Sequence, residues 1–130
     1  MDKKFLPSGD RLYLDGKGFH YREINDGARN GLIIDHFNLE PKGKFNLEEV
    51  SLLIIITSGY PDIHPDMFYC LPEIHLKNSN GFPPQAEVME DHFGQKWQRW
   101  SRHISPDSWR PGIDGIFSYL QKIYTALRNC

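Results

Sequence analysis

Long apolar runs are missing from this 130-residue chain. The longest, Leu52 to Ile56, is strand-sized and far short of the ~20 residues that a membrane-spanning helix needs. The opening stretch, MDKKFLPSGD, has no apolar signal segment. Cysteine is scarce: Cys70 and Cys130 form no spacing motif, which predicts a cytoplasmic protein with free thiols. Six histidines are present, but no HxxxH or CxxC pair with ligand spacing, so no metal and no cofactor is expected. The glycines form neither GxGxxG nor a Walker A pattern. Charge of one sign is also lacking. A net charge of −2 and a pI near 6.3 give no electrostatic case for nucleic acid or an anionic membrane.

What the chain does have is apolar and aromatic content, 39% and 13%. That suffices for one domain over residues 1–130 with a sizeable core. Residues 1–11 read as a polar lead-in with one anchor, Phe5-Leu6-Pro7, and no helical apolar period. Phe19–Ile24 alternates weakly after Gly16 and Gly18 and predicts a first strand. Asp26-Gly27 signals a turn, and Arg29-Asn30-Gly31 extends it. Gly31–Leu39 is a second strand, and Val50–Thr57, after the Pro41–Lys44 turn, a third. The apolar run in that third strand suits burial on both faces. Pro61 and Pro65 stiffen an extended loop over Tyr60–Asp66. Met67–Leu71 predicts a fourth strand; a continuation past Pro72 to Leu76 would imply an edge or a bulge. Residues 78–84 read as loop. Strands joined by short turns suggest a four-stranded antiparallel meander.

The C-terminal segment carries a helical stripe. Ile113, Ile116, Phe117, Leu120, Ile123, Tyr124 and Leu127 share one face. Asp114 near the start and Lys122 and Arg128 toward the end suit the helix dipole. A helix near 113–128 should therefore dock on the sheet, burying Ile116, Phe117, Leu120, Ile123 and Leu127. Strands first and helix last is an α+β order.

Between strand and helix lies WQRWSRHISPDSWRPG, Trp97 to Gly112, with three Trp, three Arg, three Ser and one His in sixteen residues. It reads as a loop held against the helix, with the Ser101 hydroxyl as its most interesting atom. Trp97, Trp100 and Trp109 suit either a peptide-binding surface or packing of this loop onto the core.

These pieces resemble the ubiquitin-conjugating (E2) fold, and most closely the prokaryotic E2-like family E. The cues are Tyr60-Pro61-Asp62, Pro65-Asp66-x-Phe68-Tyr69, Trp97-x-x-Trp100-Ser101-Arg102-His103 and Trp109-x-Pro111-Gly112-x-Asp114. They cover about the last two-thirds of the chain, and their order and spacing are more specific than any one of them. The resemblance implies a bacterial pathway with an E1-like adenylating enzyme, a ubiquitin-like protein and a JAB-type peptidase. It also implies that Trp109 and Pro111 pack beside the Tyr60–Pro65 loop. The departures are specific. An E2 opens with a helix, and little of one is visible here. Its catalytic Cys lies eight residues before the Trp of Trp-x-Pro; here that position is Ser101. A His-Pro-Asn motif precedes the nucleophile by roughly ten residues. His92 is nine before Ser101, but Phe93-Gly94 follows it, so the Asn is missing.

The resemblance makes Ser101 an acyl acceptor that would carry an oxyester, provided a base takes its proton. His103, two residues on, lies on the same side of an extended segment, and His92 is the second catalytic candidate. Arg99 and Arg102 are placed to orient a carboxylate or meet a developing oxyanion, with Trp100 and Trp109 as binding anchors. The bland alternative is a surface Ser in a turn, and a serine standing in for a cysteine is another. His64 and His75 read as structural histidines, Cys70 as a buried small hydrophobe, and Cys130 as a terminal thiol. Two further readings of the chain stand beside the enzyme. One is an inactive E2 variant that binds a ubiquitin-like protein, and the other an unrelated α+β binding domain.

Overall fold

The computed structural model describes residues 4–130, so residues 1–3 of the expected lead-in lie outside it. Its sheet has six antiparallel strands. They are β1 (His20–Asn25), β2 (Asn30–Asn38), β3 (Glu49–Ile56), β4 (Phe68–Leu71), β5 (Val88–His92) and β6 (Gln95–Trp100), in the spatial order β1-β2-β3-β4-β6-β5. The strands β1 to β4 follow one another as neighbours, and a β5–β6 hairpin then adds β6 beside β4. The four-stranded expectation is corrected to six. The hairpin escapes an apolar-run reading because β5 is polar, while its turn, Phe93-Gly94, has positive φ at both residues, 52° and 78°. The strand expected past Pro72 ends at Leu71, and Leu76 keeps only an isolated bridge to Phe45.

Two helices flank the sheet sequence: α1 (Ser8–Gly16) and α2 (Ile116–Asn129). The first corrects the expectation of a helix-free lead-in. Its apolar stripe is too thin to read, since Leu14 is fully buried while Leu12 is 73% exposed. Polar contacts fix it instead. Glu23 on β1 accepts from the Phe5 and Leu6 amides and pairs with Arg11 at 2.9 Å. Asp10 is buried, accepts the Tyr60 hydroxyl, and takes the Ile116 amide at 3.1 Å. A carboxylate from α1 thereby satisfies one of the orphan N–H groups that open α2.

The stripe on α2 behaves as its spacing requires, with one exception. Ile116, Leu120, Ile123 and Leu127 are buried, and Tyr119 joins them. Phe117, expected in the core, is 43% exposed. It lies at the edge of the stripe, and its ring meets Tyr13 of α1 at 6.1 Å. The helix starts at Ile116, not near 113, because Asp114 takes the Arg110 amide at 2.7 Å and Gly115 is extended. Each of these large side chains contributes roughly 1.5–3 kcal/mol on burial. They pack with Phe37, Leu52, Ile54, Phe68 and Trp100 on one face of the sheet. On the other face Ile33, Leu53, Tyr69 and Trp97 form a second cluster, with Phe93 packed against it.

Candidate active site

The alternation of β6 sorts the aromatic stretch. Side chains along a strand point to opposite faces in turn, so Trp97 and Arg99 leave on one side and Gln98 and Trp100 on the other. Trp97 joins the second cluster, and Trp100 stacks on Phe68 at 5.3 Å within the main core. Gln98, wholly buried, makes four hydrogen bonds. Its amide donates to the Ile74 and Ala86 carbonyls, both at 2.9 Å, and its oxygen accepts from the Ile74 amide and the Trp100 indole. Every donor and acceptor of that side chain is used. Part of the stretch expected as loop is therefore a pinned strand, and Ser101 is the first residue past its end. The Ser101 amide donates to the Gln85 carbonyl at 3.0 Å, which holds the backbone there.

From that anchored point the chain turns along a cleft of about 890 Å³ between residues 101–114 and the exposed side of α2. Ser101, Arg102, His103, Arg110, Lys122 and Cys130 are among its lining residues. Ser101 Oγ lies 3.4 Å from His103 Nε2, and His103 Nδ1 lies 2.9 Å from Asp66 Oδ1. A carboxylate only accepts, so the Asp66 contact calls for a proton on Nδ1; in the neutral ring that leaves a lone pair on Nε2, the nitrogen nearest the serine hydroxyl. The sequence marks Asp66 only as part of the Pro65-Asp66-x-Phe68-Tyr69 cue and gives it no site role; it is 37 residues from His103, and only the loop fold brings the two together. Arg102 lies over the Trp100 ring at 5.0 Å and donates to the Ser101 carbonyl at 3.1 Å. Trp109 is buried, and its indole donates to the Pro61 carbonyl at 2.8 Å. This seats the 109 end of the loop on the Tyr60–Pro65 loop; Pro111 is exposed.

The other candidates lie elsewhere. His92 sits beside the β5–β6 turn opposite Gln95, and six residues of extended strand separate Gln95 from Ser101, about 20 Å at strand rise. Its nine-residue spacing from Ser101 does not bring the two together. Both of its ring nitrogens are engaged, Nδ1 with Arg29 at 2.8 Å and Nε2 with Glu90 at 3.0 Å. An arginine only donates, so Nδ1 accepts and Nε2–H serves Glu90. Burial pushes the Glu90 carboxyl up, but His92 and Arg99 outweigh it and hold it below its usual range. Arg99 pairs with Glu90 at 2.7 Å on the face away from the cleft. Nearby Tyr69 is pushed up to about 12 by burial and the Glu90 charge. Trp100 and Trp109 are both buried, so of the four binding candidates only Arg102 lines the cleft.

Cys70 is wholly buried in β4, and burial pushes its thiol well up, which disfavours a thiolate nucleophile. Cys130, read as merely terminal, lines the cleft with Ser101, its thiol 3.4 Å from the Leu127 carbonyl. His64 contacts the Pro65 carbonyl at 2.8 Å, and His75 stacks on Phe82 at 4.5 Å. Among the described residues no group of His, Cys, Asp and Glu is arranged to hold a metal ion, and no helix is long and apolar enough to cross a membrane.

Comparison with known proteins adds one finding. No curated protein and no solved structure matches the chain. The model of one family, prokaryotic E2 family E, matches residues 6–130. That match runs from the segment before α1 through β6 and the cleft to the end of α2, and on it the chain belongs to prokaryotic E2 family E.

Proposed function

We propose that this chain is a bacterial E2-like carrier of a ubiquitin-like protein. It accepts the C-terminal acyl group from an E1-like adenylating partner onto Ser101 and passes it to an amine. The observation that supports this most is the Ser101–His103 pair, 3.4 Å apart in the cleft, at the acceptor position of the E2 pattern. In the first step Ser101 Oγ attacks the acyl carbon. His103 Nε2 takes the hydroxyl proton and gives it to the E1-borne leaving group as that group's bond to the acyl carbon breaks, which leaves the imidazole neutral. The product is an oxyester. In the second step an amine attacks that ester carbon, Oγ leaves, and His103 moves a proton from the amine to the departing oxygen. Arg102, which lines the cleft next to Ser101, is the cation assigned to meet the oxyanion of either step. A JAB-type peptidase acting on the conjugates would complete the pathway.

The test is a mixture of the chain with the E1-like partner, ATP and the ubiquitin-like protein. The reading expects an adduct that persists in reducing gel buffer and is lost in hydroxide, as an alkyl ester is. Ser101→Ala should remove it, and Ser101→Cys should make it labile to thiols. Absence of any adduct, with the ubiquitin-like protein still bound, would point instead to an inactive E2 variant that serves as a scaffold.

A further inference from the structure

We propose that Asp66 is the positioning residue of this site. It holds the His103 ring as the Nδ1–H tautomer, leaving the Nε2 lone pair turned to Ser101 Oγ. The inference deepens the acyl-carrier reading and rests on it for its catalytic meaning, but the positioning itself can be measured without a partner. Asp66 is well placed for the task. It follows the buried Pro65 and stands two residues before the buried Phe68 of β4, so its backbone is fixed from both sides. His103 leaves the end of a strand that is paired to β4. The Asp66–His103 contact thus ties two neighbouring strand ends at 2.9 Å.

Both partners face water, His103 at 62% and Asp66 at 53% exposure. Their ion pair therefore adds little to stability. What the contact supplies is orientation. An exposed imidazole otherwise samples both tautomers and several rotamers, and only the Nδ1–H form can accept the serine proton at Nε2. The Ser101–His103 distance of 3.4 Å is slightly beyond the usual reach, as catalytic hydrogen bonds often are before substrate binds.

Two measurements test this. Long-range 15N–1H spectra of the neutral ring should show a protonated Nδ1 and an unprotonated Nε2 on His103. In Asp66→Ala the signals should shift toward the opposite tautomer. A fluorophosphonate that labels an activated serine gives the kinetic arm. Oγ bonds to phosphorus, fluoride leaves, and the hydroxyl proton goes to Nε2. Labelling of Ser101 should fall at least about tenfold in Asp66→Ala, part of the roughly 10²–10⁴ that a general base supplies. The melting temperature should stay unchanged. Asp66→Glu should restore part of both the tautomer and the labelling. An Nε2–H tautomer in the unaltered protein, or identical spectra with and without Asp66, overturns the proposal. Correct tautomer but no labelling or adduct at Ser101 leaves Asp66 as the positioning residue and overturns the acyl-carrier reading instead.

Discussion

Two histidines flank β6, and they have opposite fates. His92 precedes the strand at its turn, is buried, and has a partner on each ring nitrogen. His103 follows the strand's end in the cleft, with one nitrogen on Asp66 and the other facing a hydroxyl. Both lie within eleven residues of Ser101 in sequence, and His92 has the spacing of a motif. Spacing along a chain is not distance, because an intervening strand rises about 3.3 Å per residue. A histidine with both nitrogens occupied in the interior holds structure together. One with a free nitrogen beside a nucleophile can do chemistry.

The largest expected effect separates the two in rate. His103→Ala should slow adduct formation on Ser101 by about 10²–10⁴-fold, roughly 2.7–5.4 kcal/mol of barrier. His92→Ala should leave single-turnover rates within about twofold. Equal losses in both would mean that His103 has no role that His92 lacks. Next comes the seating of the loop on Tyr60–Pro65. Trp109→Ala removes a buried ring and its hydrogen bond to Pro61 and should lower the unfolding free energy by about 3–5 kcal/mol. Urea titration reads this, and a loss under about half a kcal/mol would mean the loop is not seated as described.

The same face of the sheet shows what the sequence could and could not convey. The central strands β2 and β3 and the helix α2 were legible because each buries a stripe of apolar side chains whose period matches its geometry. The Phe117 misplacement shows the width of that signal: the stripe fixes the face but not its edge. The helix α1 and the hairpin β5–β6 were not legible, since Asp10, Glu23 and Gln98 hold them through long-range polar bonds that leave no periodic trace. Phe93-Gly94 was the one local cue to the hairpin. At the site, Ser101 and His103 could be paired from their separation of two residues, and the proposal of Ser101 as acceptor rests on the resemblance. Asp66 could not be joined to them, because nothing local links a proline-rich loop to a histidine 37 residues away.

Smaller effects concern the buried histidine's own role. Removing the His92 ring leaves Arg29 and Glu90 short of a partner and should cost about 1–3 kcal/mol of stability. Smallest is the pH term at Glu90, whose carboxyl is held below its usual range. A depressed carboxyl stabilises the fold fully above its unfolded value, about 4.3. That contribution is lost as pH falls through the lower folded value. Because Glu90 is partly exposed, the contribution should be under about 1 kcal/mol. Glu90→Gln should lose it at neutral pH and converge with the unaltered protein in acid, with no change in adduct rate. A change in rate would tie the buried cluster to the cleft.

Where the acyl group rides decides between Ser101 and a thiol. Peptide mapping by mass spectrometry of the adduct formed with the E1-like partner, ATP and the ubiquitin-like protein locates it. The remnant of the ubiquitin-like C-terminus should lie on Ser101 and on no cysteine-containing peptide. A remnant on Cys130, which lines the same cleft, or on Cys70 would contradict it.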